Sequence, residues 1–194
     1  MGQRQLRRQR FFAEHPLCCF CGGSAPATTE DHVPARSLFD KRDWPEDYAF
    51  PACLPCNGIT ADDEKIVAML SRLRHPHDKT TEVQRRETRA AMAAVQQAFP
   101  QAFESMLLSA NEVRKFLRYS QRTKPSGVSL SNIPVVSIGH PLFVRALKNF
   151  STKLFCALHY KHAGRILPTR GVIAAQLFSN AQIMAGKLPP MVTR

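Results

Sequence analysis

Two Cys-x-x-Cys pairs, Cys18–Cys21 and Cys53–Cys56, constrain this chain more than any other feature. Four thiolates in two such pairs make a closed tetrahedral zinc site, a structural cofactor. A zinc ion there would join two stretches separated by residues 22–52 and staple them into one turn–hairpin–helix unit. Asp31-His32 lies between the pairs and Asn57 directly follows the last cysteine. The imidazole and the amide therefore ride on opposite arms of the same clamp. The segment is rich in Pro and Gly, so its regular elements must be short. Thr28, Thr29 and Val33 favour extended backbone, which places a hairpin around 28–33.

Ligation rather than disulfide bonding follows from the compartment the sequence implies. MGQRQLRRQRFF is basic with no apolar run behind it, so no secretory signal is read. The most apolar helical stretch, FVRALKNFSTKLFCALHY, is broken by Arg145, Lys148 and Lys153, so no membrane partner is expected. Both absences favour the cytoplasm, where paired cysteines are usually metal ligands. Two cysteines remain. Cys156 sits in an apolar helical pattern and reads as a small buried side chain. Cys19 competes with Cys18, but only Cys18 has the x-x spacing to Cys21.

The net charge of +12 is unevenly spread. Residues 113–194 hold 13 Lys/Arg and no Asp or Glu, while the first 112 are close to neutral. A stretch of that length without a carboxylate attracts polyanions, and nucleic acid, with double-stranded DNA the expected form, is the obvious partner. A solvated basic face or anionic lipid remain alternatives. Arg36, Arg114, Lys115 and Arg118 are the candidate nucleic-acid contacts. Oligomeric state is not readable.

The 194 residues divide into a basic arm (1–13, flexible or loosely helical), a cysteine module (14–75) and a mostly helical basic domain (76–194) with a linker at 122–134. The expected fold class is α+β. Thr60-x-x-Asp63 reads as a capping-box-like start for a helix over 60–74, with Asp62, Asp63 and Glu64 favouring the helix dipole. Further helices are expected at 80–98, 101–121 and 170–185, and a short strand at 135–138. Pro141 opens a long helix that Gly164 closes, with Phe143, Leu147, Phe150, Leu154 and Leu158 on one face. The stripe Phe143–Phe150–Phe155 reads as core, with a base-stacking platform as the rarer alternative. His75 and His77 read as loop residues. His159 and His162 suit the helix C-terminus, with phosphate contact as a second use.

C18-x-x-C21, E30-D31-H32-V33-P34 and C53-L-P-C56-N57 together resemble the HNH endonuclease family, whose active site is a ββα-metal finger. The resemblance covers roughly residues 15–60, and the remainder carries no recognised signature. It implies metal-dependent hydrolysis of phosphodiester bonds. His32 would be the general base. Asp31 and Asn57 would hold a catalytic divalent cation such as Mg²⁺, Mn²⁺ or Ni²⁺, and the four cysteines a separate structural zinc. The chemistry is coherent: imidazole is a base near neutral pH, and a hard cation takes oxygen ligands and stabilises the leaving oxygen.

Two residues depart from the family pattern. Its middle Asn usually sits five residues before the third cysteine, where this chain has Tyr48, and Asn57 stands where many members have His. Adjacent Asp31 and His32 would face apart in a regular strand, so a twist or bulge is needed to bring both to one site. Plainer uses exist as well. His32 can bond backbone or stray to zinc, Asp31 can cap a turn, Asn57 can cap a helix, and Arg36 can be merely solvated. Glu30 reads as an exposed strand residue. The alternative function is a zinc-stapled module that binds DNA or RNA without cutting it.

Overall fold

A computed structural model describes residues 2–73, 79–124, 126–133, 135–171, 173–176, 178, 182–183 and 185–186. The basic arm is a helix, α1 (Gln3–Glu14), with no buried residue. Arg8 Nη2 donates to Thr28 O at 3.0 Å, Arg7 pairs with Glu30 at 3.4 Å, and His15 Nδ1 lies 2.8 Å from Tyr160 Oη. These contacts lay the arm along the strand that follows.

The sheet has two antiparallel strands, β1 (Thr29–His32) and β2 (Ala49–Ala52), registered Thr29 to Ala52 and His32 to Ala49. Helix α2 (Leu54–Gly58) starts directly from Cys53, with Pro55 in its first turn where the missing N–H is not needed. Helix α3 (Ala61–Ser71) follows, then α4 (Glu82–Ala98), α5 (Pro100–Glu104), α6 (Ala110–Tyr119) and the long α7 (Pro141–Ala163). Gly164 ends α7 at φ 64°, a left-handed position suited to glycine. The fold is thus mixed helix with one small sheet, and among the described residues no helix is long and apolar enough to cross a membrane.

The main core joins Ile66, Val67 and Met69 of α3 to Val95 of α4, Ala102 of α5, Met106, and Phe143 and Ala146 of α7. Helix α3 belongs to the cysteine module by sequence, yet it packs with the helical part. A second cluster seats the hairpin on α7: Cys19, Val33 and Phe50 meet Ala157, flanked by Tyr48, Leu154 and Tyr160.

Several local expectations change. The run 101–121 divides into α5 and α6 because Ser109 and Glu112 form a reciprocal capping box that starts a new helix. Thr60 does not cap α3: its hydroxyl donates to Glu64 Oε1 at 2.9 Å and accepts from Lys153 Nζ at 2.7 Å. Asp62, Asp63 and Glu64 lie in the first turn of α3 as expected, and Asp63 is in addition buried and takes bonds from Asn149 Nδ2 (2.7 Å) and Arg145 Nη2 (3.4 Å). The strand at 135–138 reduces to a bridge between Val136 and Leu107. Of the helix expected at 170–185, residues 171, 173–176 and 178 are not helical, and much of the rest lies outside the described residues, as do His75 and His77. Phe143 is fully buried, but Phe155 is 48% exposed, so the aromatic stripe is core at one end only. Cys156 is buried, as expected.

Candidate functional site

The first cysteine pair sits in a tight knuckle. Cys18 N donates to Ala25 O, Gly23 N to Cys18 O, and Leu17 bridges Pro26. Gly22 and Gly23 make the turn at φ 67° and 77°, where a side chain is strained. The second pair closes on it through the hairpin. Cys19 N donates to Pro51 O at 3.0 Å and Thr28 N to Ala52 O at 2.9 Å. The ligand atoms of Cys18, Cys21, Cys53 and Cys56 consequently lie within 4.8 Å of one another.

This set fits a metal ion such as zinc. Four sulfurs about 2.3 Å from a tetrahedral zinc would be roughly 3.8 Å apart, so small inward shifts complete the shell. Burial pushes the Cys18 and Cys56 thiols above their ordinary range, and Cys53 adds to the rise at Cys56. Burial opposes ionisation at Cys21 too, but hydrogen bonds from Ser24 and Cys18 outweigh it and bring that thiol down to about 7. Thiols crowded in this way favour a dication, which draws off their protons and holds all four thiolates together. Cys19, one residue from Cys18, faces the α7 packing instead, and burial raises its thiol.

Asp31, His32 and Asn57 do not converge. The ladder is regular through all four pairs, with no bulge at the Asp31–His32 step. Asp31 is 5% exposed and turns toward α7, where its Oδ2 lies 2.8 Å from Lys153 Nζ. The same ammonium is 2.6 Å from Glu64 Oε1 and 2.7 Å from Thr60 Oγ1. Burial raises the Asp31 carboxyl above the usual range, with Lys153 pulling it back. Lys153 is itself held above its usual value because its carboxylate partners outweigh its burial. Asn57 lies on the Asp31 side of the strand, donating from Nδ2 to Thr29 Oγ1 at 3.1 Å.

His32 belongs to the other face, with Glu30. Its ring packs edge-on against Trp44 with centroids 4.5 Å apart, and the Arg36 guanidinium lies over the same indole. Arg36 Nη2 is 2.6 Å from His32 Nε2. An arginine nitrogen can only donate, so Nε2 is the acceptor and the imidazole proton sits on Nδ1. Partial burial, then the Arg36 charge, lower the His32 pKa below its usual value. Trp44 is fixed by its own bond to Pro34 O at 3.0 Å.

Tyr48 hands its carbonyl to Val33 N at 3.2 Å, and its ring lies under Lys161 Nζ at 4.6 Å. Arg114, Lys115 and Arg118 are exposed on α6, away from the hairpin in sequence, and among the described residues Arg114 donates to Asn111 Oδ1 and Lys115 lies near Glu112 of the same helix. Sequence reasoning missed Lys153 and Trp44. The signal for Lys153 was a charge at the inward phase of an otherwise apolar helix, between Phe150 and Leu154. Comparison with protein-family models, curated proteins and solved structures returns no match for this chain.

Proposed function

We propose that this chain is a zinc-stapled, HNH-type metal-dependent endonuclease acting on nucleic acid. One observation carries the reading: four gathered sulfurs join the knuckle before β1 to the start of α2, with β1, β2 and α2 following in ββα order, His32 ending the first strand and Asn57 on the helix. His32 is suited to act as general base. Burial and the Arg36 charge keep the ring neutral, and its one basic nitrogen, Nε2, takes a proton from water once Arg36 swings from it to a phosphate. The exposed Arg36 guanidinium is also placed to share a phosphate with that water. A divalent cation held by Asp31 and Asn57 would stabilise the leaving oxygen, which requires the end of β1 to twist so that His32 reaches the same face. Lys153 can release Asp31 to such a cation while keeping Glu64 and Thr60 as partners.

A second reading, a zinc-stapled module that binds nucleic acid without cutting it, is favoured by two observations. Asp31 is already paired with Lys153, and His32 faces away from Asp31 and Asn57. Supercoiled plasmid incubated with Mg²⁺, Mn²⁺ or Ni²⁺ separates the two. The nuclease reading expects relaxed or linear plasmid that His32→Ala does not produce, with zinc content unchanged in that variant. Intact plasmid under every metal, together with a gel shift, supports binding alone.

A further inference from the structure

Helix α7 has two faces of different character. Its inner face buries Phe143, Ala146, Lys153, Cys156 and Ala157. Its outer face carries Arg145, Lys148, Thr152, Phe155, His159 and His162, spaced by three and four residues so that they form one stripe. Phe155 is the largest apolar side chain on that stripe and is 48% exposed, forgoing a burial that would stabilise the fold. Its ring runs nearly parallel to that of His159, at 16° with centroids 6.3 Å apart. At the N-terminal end, Arg145, Lys148 and Asn149 with Gly139 line an open hollow of about 520 Å³. Among the described residues the carboxylates that pair with α7 are Asp63, which shares the charge of Arg145, and Asp31 and Glu64, which meet Lys153 on the inner face. No Asp or Glu occurs anywhere in residues 113–194.

An exposed Phe155 beside a half-buried His159, in a cationic row, matches single-stranded nucleic acid. A duplex stacks its bases on one another and presents only edges and phosphates, so a ring on a helix face cannot reach a base plane. An unpaired strand offers every base plane for stacking and its phosphates for neutralisation. The stripe from Arg145 to His162 is roughly 25 Å long at 1.5 Å per residue, room for about four nucleotides. We propose that the outer face of α7 is a seat for single-stranded nucleic acid. Bases stack on Phe155 and His159, and Arg145 and Lys148 hold phosphates at the hollow. This deepens the nucleic-acid reading by naming the form bound, and it depends on binding, not on cleavage.

The test uses the full zinc-loaded chain without added Mg²⁺. Anisotropy is measured with labelled oligo(dU), oligo(U) and a duplex, each of about 20 units to exceed one site. The wild type is expected to bind a single strand more tightly than the duplex, and preference between oligo(dU) and oligo(U) identifies the sugar. Phe155→Ala should weaken single-strand binding about 5- to 150-fold, the range for one lost base stack, and leave duplex binding and the salt slope unchanged. Lys148→Ala should reduce the single-strand salt slope by about 0.7. Phe155→Trp should bind at least as well as wild type, with its indole quenched on binding above the Trp44 background, and it carries the test if the alanine variant fails to fold. Equal losses on single strand and duplex, unchanged binding by Phe155→Ala, or an unquenched indole would overturn the seat while leaving a nucleic-acid role intact. Wild type that binds neither form would overturn both. A Phe155-dependent affinity in a protein that never cuts plasmid would remove only the nuclease reading.

Discussion

Around the four sulfurs the buried set is small: Cys18, Ala52 and Cys53, with Phe20 and Ala25 against them. Across α3, α4, α5 and α7 it is large and apolar, with Phe143, Ile66, Met69 and Val95 fully enclosed. The first region has too little hydrocarbon to fix its own shape, which is the usual reason small modules carry metal. The second needs none. With a metal at the four sulfurs, one chain would use two means of holding its backbone, and the charged cluster at Lys153 lies where the two regions meet.

The sharpest way to break this contrast is to remove the metal. Chelation should withdraw on the order of 10 kcal/mol of binding free energy from the cysteine module. Hydrogen exchange should then show amides of β1 and β2 losing protection while those of α3 and α7 keep theirs. Simultaneous loss in both regions would mean that a single cooperative unit spans the molecule.

A smaller effect is expected at the junction. Lys153→Met leaves the buried Asp31 without its ammonium, and should cost about 3–5 kcal/mol in urea unfolding at neutral pH. Lys153 is what draws the Asp31 pKa down against its burial. Without it the folded-state value rises further above the unfolded one, so the variant is most stable in acid and loses stability as pH rises through that value. A deficit that stays constant with pH would show that Asp31 is not the group left exposed to the charge.

The smallest effect belongs to the hairpin surface. Arg36→Ala should change stability by less than about 1 kcal/mol, because the contact is exposed. Its mark is on titration. Burial and then Arg36 depress the His32 pKa, so removing Arg36 should move the His32 midpoint to higher pH, read from its ring proton shifts. A midpoint that falls or stays would mean that burial alone sets it.

The cysteine spacing and the Pro141–Gly164 boundaries were legible in the sequence because each is a local rule. A ligand pair needs two intervening residues, and a helix stop needs a glycine at positive φ. Thr60 was misjudged, and Asp63 only half read, for the opposite reason. Their partners, Lys153, Asn149 and Arg145, come from α7, so local capping logic lost to a distant buried charge. The same distance hid the turning of Asp31 from His32, since alternation warned of it but only the lysine decides which face is filled. Phe155 was assigned to the core from its residue type. It lies outside the helical phase of Phe143, Leu147, Phe150 and Leu154, and phase places it outward.

Thr169, from the segment after α7, rests on the first knuckle turn. A methyl group at Gly22 would meet its Cγ2 at 2.5 Å and its backbone N at 2.9 Å. During synthesis the socket emerges long before its plug, and the plug can seat only on a turn that has already closed. The segment after α7 thereby braces the first knuckle, and a bulkier residue at Gly22 would push that brace away.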